Sequence, residues 1–146
     1  PQQRYAIMDV CCVYEHEALE EDPCRICYPG VIQTIKELAK HTKLMIVSNC
    51  QSGYIELFLR KTGLEQYITD KECYGDTGKN KDENIRLVVE RNHLQHPVYV
   101  GDTQGDCDAA EKAGVPFVFA SYGFGQASRA DAVIGSFDEL LKLVRA

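Results

Sequence analysis

Val98-Tyr-Val-Gly-Asp-Thr-Gln-Gly-Asp106 is the stretch on which the fold turns. A short apolar run stops at Gly101-Asp102, and the small-residue segment from Asp106 to Ala113, ended by Gly114, reads as a helix. Strand, loop and helix in that order predict one unit of an α/β protein. The same unit recurs on both sides. Downstream, Val115-Pro-Phe-Val-Phe119 and Ala132-Val-Ile134 read as strands, and Phe137, Leu140, Leu141 and Val144 as a closing helix. Upstream, Ile85, Val88 and Val89 mark the inner face of a helix from about Asp82 to Asn92. Tyr67 to Tyr74 reads as a weaker strand followed by the loop Gly75-Asp-Thr-Gly78. Before these, a helix with Tyr54, Ile55, Leu57, Phe58 and Leu59 stops at Gly63, the strand Lys43-Leu-Met-Ile-Val47 runs into Ser48-Asn49, and Val31, Ile32, Ile35, Leu38 and Ala39 recur at helical spacing behind Pro29-Gly30. Helices alternating with short apolar runs predict βα units and a mainly parallel sheet.

The first 28 residues have a different pattern. Ile7, Cys11, Tyr14 and Ala18 lie at i, i+4, i+7 and i+11, which predicts a helix over Tyr5 to Leu19 with those residues as its stripe and Glu15, Glu17 and Glu20 mostly off it. A strand over Tyr5 to Asp9, ending in an acid, is the rival reading.

Composition narrows the function. The 146 residues fit one domain, and 16 Lys+Arg against 22 Asp+Glu give a formal charge of -6 with no basic tract, which excludes a nucleic-acid or anionic-membrane footprint. No apolar run approaches the ~18 residues of a membrane span, and no basic and apolar leader opens the chain, so a cytoplasmic protein is expected. The seven cysteines are odd in number and scattered, as expected of reduced thiols. Cys24-Arg-Ile-Cys27 has zinc-like spacing without a second pair to complete it. Cys50 lies beside Ser48-Asn49, where packing and oxidation sensitivity are both open, and His16, His41, His93 and His96 are separate from one another.

Asp102 and Asp106 stand at the carboxyl end of a strand, where open α/β sheets bind ligands. Two carboxylates four residues apart suit Mg²⁺, which takes one or two carboxylates with water and phosphate oxygens; a Gly-Asp turn with Asp106 as helix cap is the plainer alternative. Ser48-Asn49 holds the equivalent place after an earlier strand and is suited to a phosphate or to a bare turn. Lys79 and Lys81 stand where a helix begins, at the end of the dipole that disfavours cations, which suggests a partner; a solvated surface lysine is the plainer alternative.

Taken together, Ser48 after a strand, a lysine at a helix entry and the Gly101-Asp102-x-x-x-Asp106 loop resemble motifs II, III and IV of the haloacid dehalogenase (HAD) superfamily. The likeness runs over about residues 29–125 through Tyr28-Pro29-Gly30-Val31, Ile46-Val47-Ser48-Asn49, Gly78-Lys-Asn-Lys-Asp-Glu-Asn-Ile85, Ala113-Gly114-Val115-Pro116 and Tyr122-Gly123-Phe124-Gly125, and is nearest the phosphoglycolate-phosphatase-like members. It implies a three-layer Rossmann-like core and an Mg²⁺-dependent phosphatase of small phosphorylated metabolites working through an aspartyl-phosphate. Ser48 and Asn49 would hold the phosphoryl group, Lys81 (or else Lys79) would neutralise it, Asp102 would bind the metal, and Asp106 would hold the metal's water shell or the lysine. A metal-free 2-haloacid dehalogenase and a non-catalytic phosphate- or metal-binding module are the rivals.

One part of the pattern is absent. The family's nucleophile is the first acid of an Asp-x-Asp at the end of the first strand, and no Asp-x-Asp precedes Ser48; Asp9-Val10-Cys11 is the nearest approach. Residues 1–28 resemble instead the end of a helical cap, with residues 29–146 as a core lacking its first strand and nucleophile. On that reading the chain alone is inactive, and two inner sheet edges need a strand from Tyr5 to Asp9, from a second copy in a homodimer or strand-swapped assembly, or from further polypeptide.

Overall fold

The computed structural model describes residues 2–21 and 26–145. Helix α1 (Gln2–Glu21) is followed by α2 (Val31–Leu38), β1 (Met45–Ser48), α3 (Tyr54–Thr62), β2 (Asp70–Cys73), the single turn α4 (Tyr74–Thr77), α5 (Lys81–Arg91), β3 (Tyr99–Gly101), α6 (Gln104–Ala113), β4 (Phe117–Ala120), β5 (Ala132–Ile134) and α7 (Leu140–Arg145). Short 3₁₀ turns at Glu65–Tyr67 and Phe137–Glu139 lead into β2 and α7. All strand pairs are parallel, as the alternation of helices and apolar runs requires. The expected loop at Gly75 to Gly78 is in part helical: the Gly78 N–H donates to the Tyr74 carbonyl at 2.7 Å and closes a turn that Gly78 ends in the left-handed conformation.

The strands form two sheets. One holds β1 and β2 with Ser48 opposite Cys73; the other runs β3, β4, β5 with Gly101 opposite Phe119. Among the described residues β1 and β3 each have one ladder edge without a strand partner. A side chain links the two edges: Tyr99 Oη on β3 donates to the Val47 carbonyl on β1 at 3.0 Å.

Alternating side chains assign the layers. Ile46 and Cys73 pack with Ile35, Ile55, Leu59 and Leu64 on the α2 and α3 side, whereas Val47 meets Ile85, Ala109 and Tyr99 under α5 and α6. Likewise Val118 and Ala120 join Leu38 and Leu140 against α2 and α7, and Phe117 and Phe119 join Cys107 and Ala110 of α6. This period of two covers both faces of β1 and β4 and gives the three-layer α/β arrangement. It also aims the carboxyl ends of β1, β2 and β3 at the loops that carry Ser48 and Asp102.

Helix α1 corrects the expectation for the first 28 residues in one respect. Tyr5 to Asp9 is helical, so this segment supplies no strand, but the stripe of Cys11, Tyr14 and Ala18 is exposed, Tyr14 to 68%. The side chain of Ile7 lies outside the described residues, as does Cys24 of the zinc-like pair. The opposite face meets α3 by polar contacts. Tyr54 Oη donates to Glu15 at 2.7 Å, Arg60 pairs with Glu20 at 2.5 Å, Lys61 donates to the Leu19 carbonyl, and His16 packs edge-on against Tyr54. Two of the acids read as lying off the stripe, Glu15 and Glu20, dock the helix, because α3 offers a tyrosine and two cations to meet them. Proximity of Glu15 raises the Tyr54 hydroxyl pKa to about 12.

Candidate functional site

The loop after β3 is organised around one carboxylate. Asp106 is the third residue of α6, and its Oδ2 accepts from the backbone N–H of Asp102 and of Thr103, both at 3.1 Å, and from Thr103 Oγ1 at 2.8 Å. Thr103, rather than Asp106, is the N-cap, and its hydroxyl oxygen accepts from the Asp106 N–H at 3.2 Å. The remaining oxygen, Oδ1, accepts from Lys81 Nζ at 2.5 Å across the α5–α6 contact, with the side chains only 17% (Lys81) and 7% (Asp106) exposed. Burial would raise the Asp106 carboxyl, but Lys81 and Thr103 outweigh it and hold the group below the ordinary range. Asp106 thus grips the lysine and the loop together.

Lys81 reaches this position because it begins α5. The helix start is built by the Glu83 carboxylate, which accepts from the Asn80 N–H at 3.0 Å, and by buried Asn84, which donates to the Lys79 carbonyl at 3.2 Å and accepts from Thr77 Oγ1 at 2.9 Å. Lys79 itself is exposed, and its side chain has no partner among the described residues. The structure therefore brings Lys81 and not Lys79 to the acidic loop. Asn84 received no role from the sequence, although a fully buried asparagine at a helix entry must spend its amide on nearby backbone groups.

Asp102 is partly buried at the mouth of the loop. Its Oδ2 accepts from the Phe124 N–H at 2.7 Å, whereas Oδ1 meets no donor among the described residues. The Tyr122-Gly-Phe-Gly125 turn lies so close that a Cβ on Gly123 would come within 2.3 Å of Asp102, and one on Gly101 within 2.5 Å of the Asp106 Cβ. Glycine is required at these positions by space. Gly123→Ala should consequently push Asp102 off the Phe124 N–H and lower stability by about 1–3 kcal/mol through overpacking. The midpoint of urea unfolding checks this, and a midpoint equal to the parent's would contradict the close approach.

Ser48 ends β1 with its hydroxyl oxygen accepting from the Cys50 N–H at 3.2 Å, and Asn49 beside it is exposed. Neither caps a helix. Helix α3 starts only at Tyr54, with Gly53 at its N-cap, so backbone donors near Ser48 belong to the intervening loop. Asp9 lies within α1 rather than at a strand end. Tyr99, to which the sequence pointed only as a strand residue, spans the space between β1 and β3 beneath this edge, its hydroxyl driven to high pKa first by burial and then by Asp106 and Asp102. No group of three or more His, Cys, Asp or Glu side chains suited to a metal occurs among the described residues. Among them, too, no helix is long and apolar enough to cross a membrane.

Comparison with known proteins bears on the family and the fold. A family model described as haloacid dehalogenase-like hydrolase matches residues 3–120. The phosphoglycolate phosphatases of Escherichia coli K12 and Vibrio vulnificus are 31% and 30% identical to the chain over 88% and 80% of its length. Those matches cover 54% and 56% of the relatives, so the chain spans about half the length of the curated proteins it matches. Among solved structures, one described as a predicted phosphoglycolate phosphatase from Haemophilus somnus superposes with a TM-score of 0.77 at 25% identity, covering 90% of this chain and 62% of that one. A candidate HAD-hydrolase, YfnB of Bacillus subtilis, described as bound to magnesium, gives a TM-score of 0.70 at 22% identity over 81% of this chain and 55% of that one, a likeness of fold.

Proposed function

We propose a reaction from a premise that the matches establish: the chain belongs to the haloacid dehalogenase-like hydrolase family. The reaction is Mg²⁺-dependent hydrolysis of a small phosphomonoester, with Ser48, Asn49, Lys81 and Asp102 forming the phosphate- and metal-facing side of the site. The observation that carries the reading is the Lys81–Asp106 pair beside Asp102, at the carboxyl ends of the strands.

The donors present suit the metal. Among the described residues, one carboxylate with an oxygen free of protein donors and no all-protein cage fit an ion that keeps most of its ligands as water and substrate oxygens. Asp102 would hold Mg²⁺, which when bound supplies charge to neutralise the transferring phosphoryl oxygens. The Phe124 N–H fixes the direction in which Asp102 points. Asp106, with both oxygens already engaged by protein donors, acts on the lysine and the loop rather than directly on the ion. Lys81, held at the entry of α5, presents fixed positive charge to the phosphate, and the Ser48 hydroxyl and Asn49 amide donate hydrogen bonds to its oxygens.

The chemistry also requires a carboxylate nucleophile. Its place is the carboxyl end of a strand lying between β1 and β3, where both ladder edges are free among the described residues. Further polypeptide or a second copy would supply that strand, since Tyr5 to Asp9 is helical. A non-catalytic phosphate-binding reading is favoured by the absence of Asp-x-Asp before Ser48.

Two measurements decide between these readings. The protein expressed from its complete coding sequence is assayed with p-nitrophenyl phosphate, with and without Mg²⁺; Mg²⁺-dependent turnover falling ~10²–10³-fold in Asp102→Asn is expected. No turnover, or turnover indifferent to Mg²⁺, overturns phosphatase activity. Calorimetric titration of the present chain with Mg²⁺ tests the site separately, and unchanged affinity in Asp102→Asn overturns the assignment of the metal.

A further inference from the structure

A second charged feature lies at the opposite end of β1 and β2 from Ser48. An open cavity of about 680 Å³ is formed where the end of α2, the turn into β1 and the approach to β2 meet. Lys36, Lys40, His41 and Lys43 line it together with Tyr67 and Thr42, and no acid is among its lining residues. In a chain of net charge -6 this is a local reversal of sign. From Thr42 to Ser48 is six residues of largely extended chain, roughly 15–20 Å, which separates the cavity from the candidate phosphatase site.

Helix-dipole complementation is the simplest reason for lysines near the end of α2, and it accounts for only part of the cluster. The carbonyls of Ile35, Glu37 and Leu38 already accept from the N–H groups of residues 39–42, so little uncompensated negative potential remains there. Lys43 lies beyond the helix, is exposed, and has no recorded partner among the described residues. Lys36 rides over the Tyr67 ring at 5.7 Å, which orders the ammonium without neutralising it. The neighbouring acid Glu37 is taken up with Lys40 at 2.6 Å and faces His41 at 3.5 Å. Two ammonium groups, Lys36 and Lys43, are thus left without a carboxylate in one concavity of ligand size.

We infer that this cavity binds a small organic polyanion, carrying two or more phosphoryl or carboxylate groups, at a site distinct from the catalytic edge. The volume exceeds what one inorganic phosphate needs, and the polar walls, with Gln33, Gln66 and Thr69 beside the lysines, select a hydrophilic ligand over an apolar one. At this distance from Ser48 the ligand is not the one being hydrolysed.

Calorimetric titration of the chain with pyrophosphate and with citrate, in 50 mM salt with EDTA present, tests the inference. Saturable binding with a dissociation constant below ~1 mM is expected for at least one of them. Pyrophosphate alone identifies phosphoryl recognition, citrate alone carboxylate recognition, and both identify charge as the criterion; binding of neither overturns the inference. The Lys36→Gln/Lys43→Gln chain should retain its urea midpoint and bind ~10-fold more weakly or worse, since each charged hydrogen bond lost is worth at least that factor. Unchanged affinity would refute the site. Ser48→Ala should bind as the parent does, and loss of binding there would move the anion to the catalytic edge and defeat the inference equally.

Discussion

Asp106→Ala is expected to cost about 3–5 kcal/mol of stability, read as a lowered urea midpoint with an unchanged slope. The magnitude follows from what one side chain holds. Removing the carboxylate leaves the Lys81 ammonium, 17% exposed, without its partner, and withdraws the acceptor of two backbone N–H groups and the Thr103 hydroxyl. The N–H of Asp102 and of Thr103 then have no other acceptor among the described residues. Asp106→Asn should cost less, about 1–3 kcal/mol, because its amide oxygen still accepts the backbone bonds while the charge facing Lys81 is lost. Adding Lys81→Met to Asp106→Ala should recover part of the loss, since an apolar side chain has no charge to leave unpaired. A cost under ~1 kcal/mol for Asp106→Ala would mean that the loop is held by other contacts.

The same carboxylate shows where sequence reasoning reaches and where it stops. Gly101-Asp102-x-x-x-Asp106 after an apolar strand was enough to place the loop at a sheet edge, and the order of Ser48, lysine and the acidic loop led to the family. Strand positions were most legible where both faces are buried, as in Phe117–Ala120, which reads as a continuous apolar run, and least so at Asp70–Cys73, whose Asp-Lys-Glu is held by ion pairs rather than by apolar burial. What could not be read is which donors each oxygen would meet. Thr103 is an ordinary residue until its N–H, hydroxyl and position at the helix start are seen to converge on Asp106. Gly123-Phe124-Gly125 was visible as a pattern, but its closeness to Asp102 depends on how the turn after β4 folds back. The stripe on α1 misled for a similar reason: helical spacing identifies the helix, whereas the face that docks is chosen by its partner, and α3 presents Tyr54, Arg60 and Lys61. The charged cavity combines residues on either side of β1, a juxtaposition created by the parallel pairing of β1 with β2.

Arg91→Ala is the second large effect, and it bears on how β2 is held beneath α5. The guanidinium donates Nε to Asp70 at 2.6 Å, Nη2 to the other Asp70 oxygen at 2.7 Å and to the Lys71 carbonyl at 2.8 Å, and Nη1 to Glu72 at 2.7 Å. A planar fork of this kind serves two acids and a carbonyl at once, which lysine cannot reproduce. Glu72 is 10% exposed in its side chain and would be left as a nearly buried acid without its cation. Arg91 keeps 38% exposure, so the expected loss is about 2–3 kcal/mol, below the ~3–5 kcal/mol of a fully buried pair. The pH dependence distinguishes this from a general loosening. Burial alone would raise the Asp70 carboxyl, and Arg91 with Asn92 overcomes it to hold the group below its ordinary range. A lowered folded-state pKa contributes stability that is present above the unfolded value, near ~3.9, and is lost as pH falls through the folded one. Without Arg91 the burial effect remains and only Asn92 and the Lys71 N–H still lower the group, so most of the Asp70 contribution is missing already at neutral pH. The stability gap between parent and Arg91→Ala should therefore be widest at pH 6–7 and shrink on acidification below about pH 4, as the parent loses what the variant already lacks. Urea midpoints measured across pH 3–7 give the comparison, and a gap that stays constant through that range would show that Arg91 acts by packing and not through the carboxylates.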